Sequence, residues 1–396
     1  MPSTASQRKK HRKSFRCEPP EWKRRRFNPD SAGSSFQRSD PEEVVDPDTS
    51  ADATAEATAR CLPSPKAVSR QLSEMDHNLS LPTKAKALRA LKQLQTWLVD
   101  ETTTTESKRE LMESFRDYGG IARTLDFLEA NLLDMNCATT SAAVIADFLS
   151  FRWNATEGIR EVAIEMAKTI VRRNGVQILL RANKEFAVGH GTFSATKHIW
   201  IALGRTVNGD ETRRIMDKTQ KLSILNDATD CVFRLASVRT GNSIETRNAD
   251  ILRVLLYAIA NTIKDASIEK KDLNGVDVVP GCLEVMKRNE VWERNDDVVI
   301  YVLGILTICA KQKTLLKKKD FEQLLPMLIH CMSQFHGNSQ IRSFVLALLE
   351  SACQKLPKEM MEKEGVLEAI SALLKPEGVS EDVKEKARSI MRKILN

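Results

Sequence analysis

The feature that most constrains how this 396-residue chain can fold is an internal repeat. Four times a polar or charged stretch runs into a glycine, and an apolar run of helical spacing starts at once. The junctions are Tyr118-Gly119-Gly120-Ile121, Arg173-Asn174-Gly175-Val176, Leu273-Asn274-Gly275-Val276 and Lys363-Glu364-Gly365-Val366. They lie 55, 100 and 90 residues apart, and weaker starts near Leu222 and Leu324 fill the two long gaps. The implied period is about 42–55 residues, in or just above the range of helical repeat units. A glycine in each junction suits a helix C′ position, where positive φ turns the chain sharply.

After each junction comes a short apolar helix, as in Val176-Gln177-Ile178-Leu179-Leu180, and then a longer one. The longer runs fall near 139–151, 193–207, 245–264, 297–313, 339–355 and 380–395, with a further run at 83–99. Apolar residues recur there at steps of three and four: Ala87, Leu88, Leu91, Leu94, Trp97 and Leu98 in the first, and Val383, Ala387, Ile390, Met391 and Ile394 in the last. No alternating strand segment interrupts them. Aromatics are only 5% of the chain, so Leu, Ile, Val, Ala and Met must build the core. The spacing predicts an all-α solenoid of about six three-helix units over 82–396, with the run at 83–99 as a cap. One such unit cannot bury its apolar faces alone, so neighbours must stack. Leu179, Leu203, Ile259, Leu303, Leu346 and Leu373 sit inside the stripes and are predicted to be buried.

The pattern resembles the armadillo repeat family over roughly residues 82–396. The segment Glu362-Lys363-Glu364-Gly365-Val366-Leu367-Glu368-Ala369-Ile370-Ser371-Ala372-Leu373-Leu374 resembles the start of that family's second helix. Tyr257-Ala258-Ile259-Ala260-Asn261 resembles its W-A-L-S-N stretch in the third helix. Trp200-Ile201-Ala202-Leu203-Gly204 keeps the Trp but not the Asn, and Tyr301-Val302-Leu303-Gly304-Ile305 keeps only an aromatic. The resemblance implies a right-handed superhelix and a peptide or helix partner gripped by the third helices. Trp200, Tyr257, Asn261 and Tyr301 are then the candidate groove residues. The importin alpha family, which also joins a basic segment to armadillo repeats, holds peptides on a ladder of Trp and Asn. Here only Trp200 and Asn261 keep a ladder residue, in different repeats, which argues against that mode of binding.

Residues 1–81 read differently. They have no apolar periodicity and are rich in Ser, Thr, Pro, Asp and Ala, so the stretch is predicted to be disordered. Residues 1–30 hold ten Lys/Arg against three Asp/Glu, whereas residues 31–80 hold four against nine. The basic arm has two blocks: Arg8, Lys9, Lys10, Arg12 and Lys13, then Lys23, Arg24, Arg25 and Arg26. Two spaced blocks of this kind resemble a bipartite nuclear localisation signal for an import receptor, which predicts a nuclear protein. A general attraction to nucleic acid or acidic surfaces is the alternative.

A second basic cluster, Lys311, Lys313, Lys317, Lys318 and Lys319, crowds the end of one helical run and the loop after it. Lysines at a helix C-terminus complement its macrodipole, and this is their plain explanation. A site for an acidic partner or a phosphate backbone is the functional one.

Catalytic and metal chemistry find little support. His190 and His198 flank Gly191, Thr192, Phe193 and Ser194 without a strand-turn-helix nucleophile elbow. His330, Cys331 and His336 match no zinc spacing. No phosphate-binding loop, dinucleotide fingerprint or HExxH occurs. No cofactor is expected. The eight cysteines form no CxxC pair, which points to a reducing compartment. No run reaches the roughly 18–20 apolar residues of a membrane span. The chain therefore reads as a binding scaffold for a protein or peptide rather than an enzyme. A nucleic-acid-associated nuclear protein is the alternative.

Overall fold

The computed structural model describes residues 64–73, 81–100, 103–154, 156–186, 193–237, 242–288, 295–312, 314–374 and 380–395. The chain divides into two compact units, 1–57 and 58–396, and the described residues all belong to the second. Among them 84% are helical and none is in a strand. The basic arm lies outside the described residues.

Eighteen α-helices follow one another among the described residues: α1 (Pro65–Ser73), α2 (Leu81–Val99), α3 (Thr105–Asp117), α4 (Gly120–Ala130), α5 (Met135–Asn154), α6 (Glu157–Arg172), α7 (Gly175–Phe186), α8 (Phe193–Val207), α9 (Asp210–Ile215), α10 (Lys218–Ser237), α11 (Asn242–Ile263), α12 (Val278–Met286), α13 (Asp296–Lys311), α14 (Lys318–Gln334), α15 (Ser339–Ala352), α16 (Lys358–Lys363), α17 (Val366–Leu374) and α18 (Glu381–Leu395). A single 3-10 turn, Lys270–Leu273, precedes α12. Short polar side chains start several of them. The Ser107, Cys137, Gln220, Val298 and Ile341 amides donate to the side chains of Thr104, Asp134, Asp217, Asn295 and Asn338 respectively.

The helices pack in rows. One row runs α2, α5, α8, α11, α13, α15 and α18, each against the next. A second runs α4, α7, α10, α12, α14 and α17. The apolar core is shared between the rows, and all six predicted core residues are buried in it. Polar pairs bridge every step of the first row. Gln95 donates to Asp147 at 2.7 Å and Arg205 to the Ala146 carbonyl. Lys197 meets Asp250 at 3.1 Å, and Arg253 meets Asp297 at 3.4 Å. Asn338 donates to Asp296 at 2.9 Å, and Glu350 receives Lys311 at 3.0 Å and Lys393 at 3.3 Å.

The glycine junctions hold with one displacement. Gly119, Gly275 and Gly365 take φ of +69°, +88° and +77°. At the second junction the left-handed residue is Asn174, at +57°, and not Gly175. Asn tolerates that region through its short polar side chain. Gly175 is needed for a different reason: an added Cβ would lie 2.7 Å from Leu125 and 2.9 Å from Ile170.

Two expectations are corrected. Residues 65–73 fall inside the stretch predicted to be disordered, yet Pro65–Ser73 forms α1 and buries Val68 and Leu72 completely against α2 and α3. A helix does not precede every second-row helix. The six-residue α9 gives way to the 3-10 turn before α12, and residues 314–317 before α14 are non-helical. There Thr314 adopts φ +48° and the Leu315 amide bonds the Cys309 carbonyl at 2.8 Å, which ends α13 and leaves too short a span for another helix.

Candidate functional site

The groove residues read from the sequence are found mostly inside. Trp200 of α8 is fully buried, and its indole N–H donates to Asn183 Oδ1 of α7 at 3.0 Å. Asn261 is buried too, and its amide donates back to the Tyr257 carbonyl at 2.9 Å within α11. Tyr257 packs over Gly204 of α8, where an added Cβ would come within 2.8 Å of the ring. It meets Tyr301 of α13 edge-on, with centroids 5.7 Å apart and planes at 69°. Burial pushes both phenols up from their ordinary value. The structure thus brings Tyr257 and Tyr301 together but does not gather the four into an open groove. The reason is that α11 is enclosed by α8, α10 and α13 and is buried on every side from Ile251 to Ile263.

Beside this aromatic pair lies an arginine cluster with no sequence signature. Arg152 of α5 is 3% exposed. It donates to the Arg205 and Thr206 carbonyls and to Thr212 Oγ1, each at 3.3 Å, and to Glu211 Oε2 at 3.2 Å. Arg213 donates to the Val207 carbonyl at 3.0 Å, and the Thr212 hydroxyl to the Thr206 carbonyl at 2.7 Å. These groups satisfy the last carbonyls of α8, and the two guanidinium charges sit at the negative end of its dipole. Burial lowers the Arg152 guanidinium's pKa while Glu211 acts to raise it. The cluster is built to close a helix end.

The second basic cluster is divided by the fold. Lys311 ends α13, where its charge suits the dipole, and it pairs with Glu350. Lys313 lies outside the described residues. Lys317, Lys318 and Lys319 are at the N-cap and first turn of α14. The dipole there is positive, so the stabilising explanation for lysines at a helix C-terminus does not hold for these three. Two carboxylates offset them locally: Asp320 Oδ2 accepts the Lys317 amide at 2.7 Å, and Glu322 stands 3.9 Å from Lys318. A cleft of about 400 Å³ opens between the ends of α13 and α15 and the start of α14. Ala310, Leu316 and Phe321 form its apolar part, and Lys311, Glu350 and Lys355 its charged part. The hydrogen bond from Lys311, with a further one from Lys393, holds the Glu350 carboxyl below its usual range.

The remaining sequence candidates show no convergent chemistry. The His198 ring bonds the Ser194 carbonyl of its own helix at 2.8 Å, and His190 lies outside the described residues. Cys331 is fully buried, and burial pushes its thiol up to about 12. Among the described residues no three His, Cys, Asp or Glu side chains are grouped to hold a metal ion. No described helix is long and apolar enough to cross a membrane. No family model matches the chain, and no curated protein matches it.

Proposed function

We propose that residues 64–396 form a right-handed solenoid of six armadillo-like units that serves as a non-enzymatic interaction scaffold. The units are α3–α5, α6–α8, α9–α11, the 3-10 turn with α12 and α13, α14–α15, and α16–α18. The helices α1 and α2 cap one end. At the other, α18 turns Glu381, Asp382, Glu385, Arg388 and Arg392 outward, as a capping element does. The observation that carries the reading is the bridged first row. Its cross-helix partners are separated by 52, 53, 44, 42, 39 and 43 residues, the spacing of one repeat unit. A stack in which each unit touches its neighbours exposes one long face, and that face is the natural place to grip a partner. With Trp200 and Asn261 buried, the grip falls to the polar pairs and to clefts between units. The two basic blocks of the arm support import into the nucleus as the setting.

Cross-linking mass spectrometry of the full-length chain with its co-purified partners tests this. Cross-links are expected to concentrate on first-row lysines such as Lys197, Lys311 and Lys393. Lys108, Lys168 and Lys184, on other helices, should be under-represented. An even spread, or partners that vanish on nuclease treatment, would overturn the reading, the latter in favour of a nucleic-acid-associated protein.

A further inference from the structure

We propose that Ser73 is a phosphorylation site for a kinase that reads an arginine three residues upstream, and that phosphate there frees α1 from α2 and α3. This goes beyond the scaffold reading and does not depend on it.

The first ground is the motif and its exposure. Arg70-Gln71-Leu72-Ser73 sets a guanidinium three residues before a hydroxyl, a charge pattern by which kinases select substrates. In the whole sequence only Arg70 and Arg234 have a serine or threonine at that distance. The side chain of the second serine, Ser237, lies outside the described residues. Arg70 and Ser73 are both exposed and lie one turn apart on the solvent side of α1, while Val68 and Leu72 hold its other side to the body. Ser69 is half-buried and has only Lys66 in the upstream position.

The second ground is a hydrogen bond that phosphorylation inverts. Ser73 Oγ donates to the Arg70 carbonyl at 2.8 Å. That carbonyl is among the last four of α1, which have no amide partner within the helix. In the transfer, the Ser73 oxygen attacks the γ-phosphorus of a magnesium-bound nucleoside triphosphate. An Oγ–P bond forms, the bond from that phosphorus to the β-phosphate oxygen breaks, and the nucleoside diphosphate leaves. The hydroxyl proton passes to the kinase's catalytic carboxylate. Ser73 thus loses the donor that served the Arg70 carbonyl and gains acceptor oxygens in its place.

The third ground is position. Phosphate adds a charge of about −1.5 to −2 at the negative end of the helix dipole, a placement that disrupts a helix terminus. The sequence places Glu74 and Asp76 just beyond, which adds like charge. Arg70 can pair with the phosphate, but an exposed i,i+3 pair contributes only about half of what each misplaced charge costs. The helix is held by little: it has nine residues, and Val68 and Leu72 are its fully buried side chains. Two misplaced charges and one lost hydrogen bond should shift its docking equilibrium by about tenfold or more. The other end responds with the opposite sign. Ser64 Oγ accepts the Ala67 amide at 3.3 Å, at the positive end of the dipole, so a negative charge there holds α1 in place.

The test is phosphorylation of the full-length protein in vitro by a calmodulin-dependent protein kinase with Mg-ATP, followed by tandem mass spectrometry and hydrogen exchange. Phosphate is expected on Ser73, with exchange across α2 and α3 about tenfold faster and that of α13 to α18 unchanged. Ser73→Ala treated in the same way should show no acceleration, which accounts for phosphates elsewhere in the chain, the basic arm included. Two variants without kinase separate place from charge: Ser73→Asp should speed exchange across α2 and α3 severalfold, and Ser64→Asp should not. No phosphate on Ser73, phosphate there without faster exchange in α2 and α3, or equal acceleration in Ser64→Asp would each overturn the proposal.

Discussion

Removing α1 should destabilise the body, whereas removing everything before it should not. The sequence places no apolar stripe in this stretch, but Val68 and Leu72 are completely buried and the helix packs on both α2 and α3. It also begins well: the Ala67 amide donates to Ser64 Oγ at 3.3 Å, and Pro65 occupies the first turn, where its missing N–H costs nothing. Deleting a fully buried leucine side chain costs about 2–5 kcal/mol, depending on how far the site collapses. Leu72→Ala should fall in that range, and a chain lacking residues 1–75 should lose at least as much. At roughly 2 °C per kcal/mol, the lower end for domains of this size, the melting midpoint should drop by about 4–10 °C. A chain lacking only residues 1–63 should melt within a degree or so of the full length. Because stacked units can unfold separately, the loss should be local as well. Hydrogen exchange by mass spectrometry should show faster exchange across α2 and α3, with α13 to α18 unchanged. Equal midpoints for the two truncations, or protection of α2 unchanged by Leu72→Ala, would mean that α1 is not part of the folded body.

Three other outcomes follow from the packing and a fourth from the basic arm. Leu303→Ala, at a fully buried position in α13, should cost about 2–5 kcal/mol by chemical denaturation. Gly209→Ala would drive a Cβ into the Arg152 guanidinium at Nη2. Displacing that guanidinium from the α8 carbonyls should cost about 1–3 kcal/mol, visible as faster exchange at the end of α8. Asp265→Asn should cost up to about 3 kcal/mol, since Lys221, 5% exposed, would keep its charge without the carboxylate 3.1 Å away. Burial pushes the Asp265 carboxyl up, but hydrogen bonds from Ser267 and Lys221 more than offset it and hold it below its usual value. Its contribution is therefore present above the ordinary carboxylate pKa of about 3.9 and lost as pH falls through the folded value, so the variant should show a flatter acid limb in a stability-against-pH profile. Replacing Lys23, Arg24, Arg25 and Arg26 with Ala should move a fluorescent fusion from nucleus toward cytoplasm. A full-length fusion that is cytoplasmic from the start would refute the import reading.

The first-row helices were legible because they are long and strongly periodic. The run read at 193–207 is α8 at the same bounds, and 297–313 became Asp296–Lys311. What escaped was short. Nine residues of α1 give only about two and a half turns, too few for a 3.6-residue period to stand out in an 11–18-residue window. Its only signature was Ser64-Pro65, a start signal without a stripe behind it. The shift from Gly175 to Asn174 has the same local character. Either residue can take positive φ, and the choice is made by Leu125 and Ile170 pressing on the position that must lack a Cβ. The shrinking helices before α12 and α14 could not be seen either, because the units around them are recognised by the glycine junction and the apolar runs, not by the polar helix in front.

The candidate sites were harder to read because side-chain chemistry alone does not fix which way a residue faces or which end of a helix it occupies. Tyr257 and Trp200 were matched on residue type, but an aromatic in a repeat can as easily seal the joint between units as line a groove. Here Gly204 leaves the gap that Tyr257 fills, and Asn183 takes the Trp200 N–H that a ligand would otherwise have needed. Arg152, Arg205 and Arg213 come from two parts of the chain more than fifty residues apart, and only the end of α8 makes them one cluster. The lysines carry the sharpest lesson. In the sequence, Lys311 to Lys319 are a single run trailing a helix, where positive charge is favourable. In the fold, the chain ends one helix and begins another inside that run, and the sign of the dipole reverses between Lys311 and Lys317. The same residue type thus stabilises one helix and opposes the next.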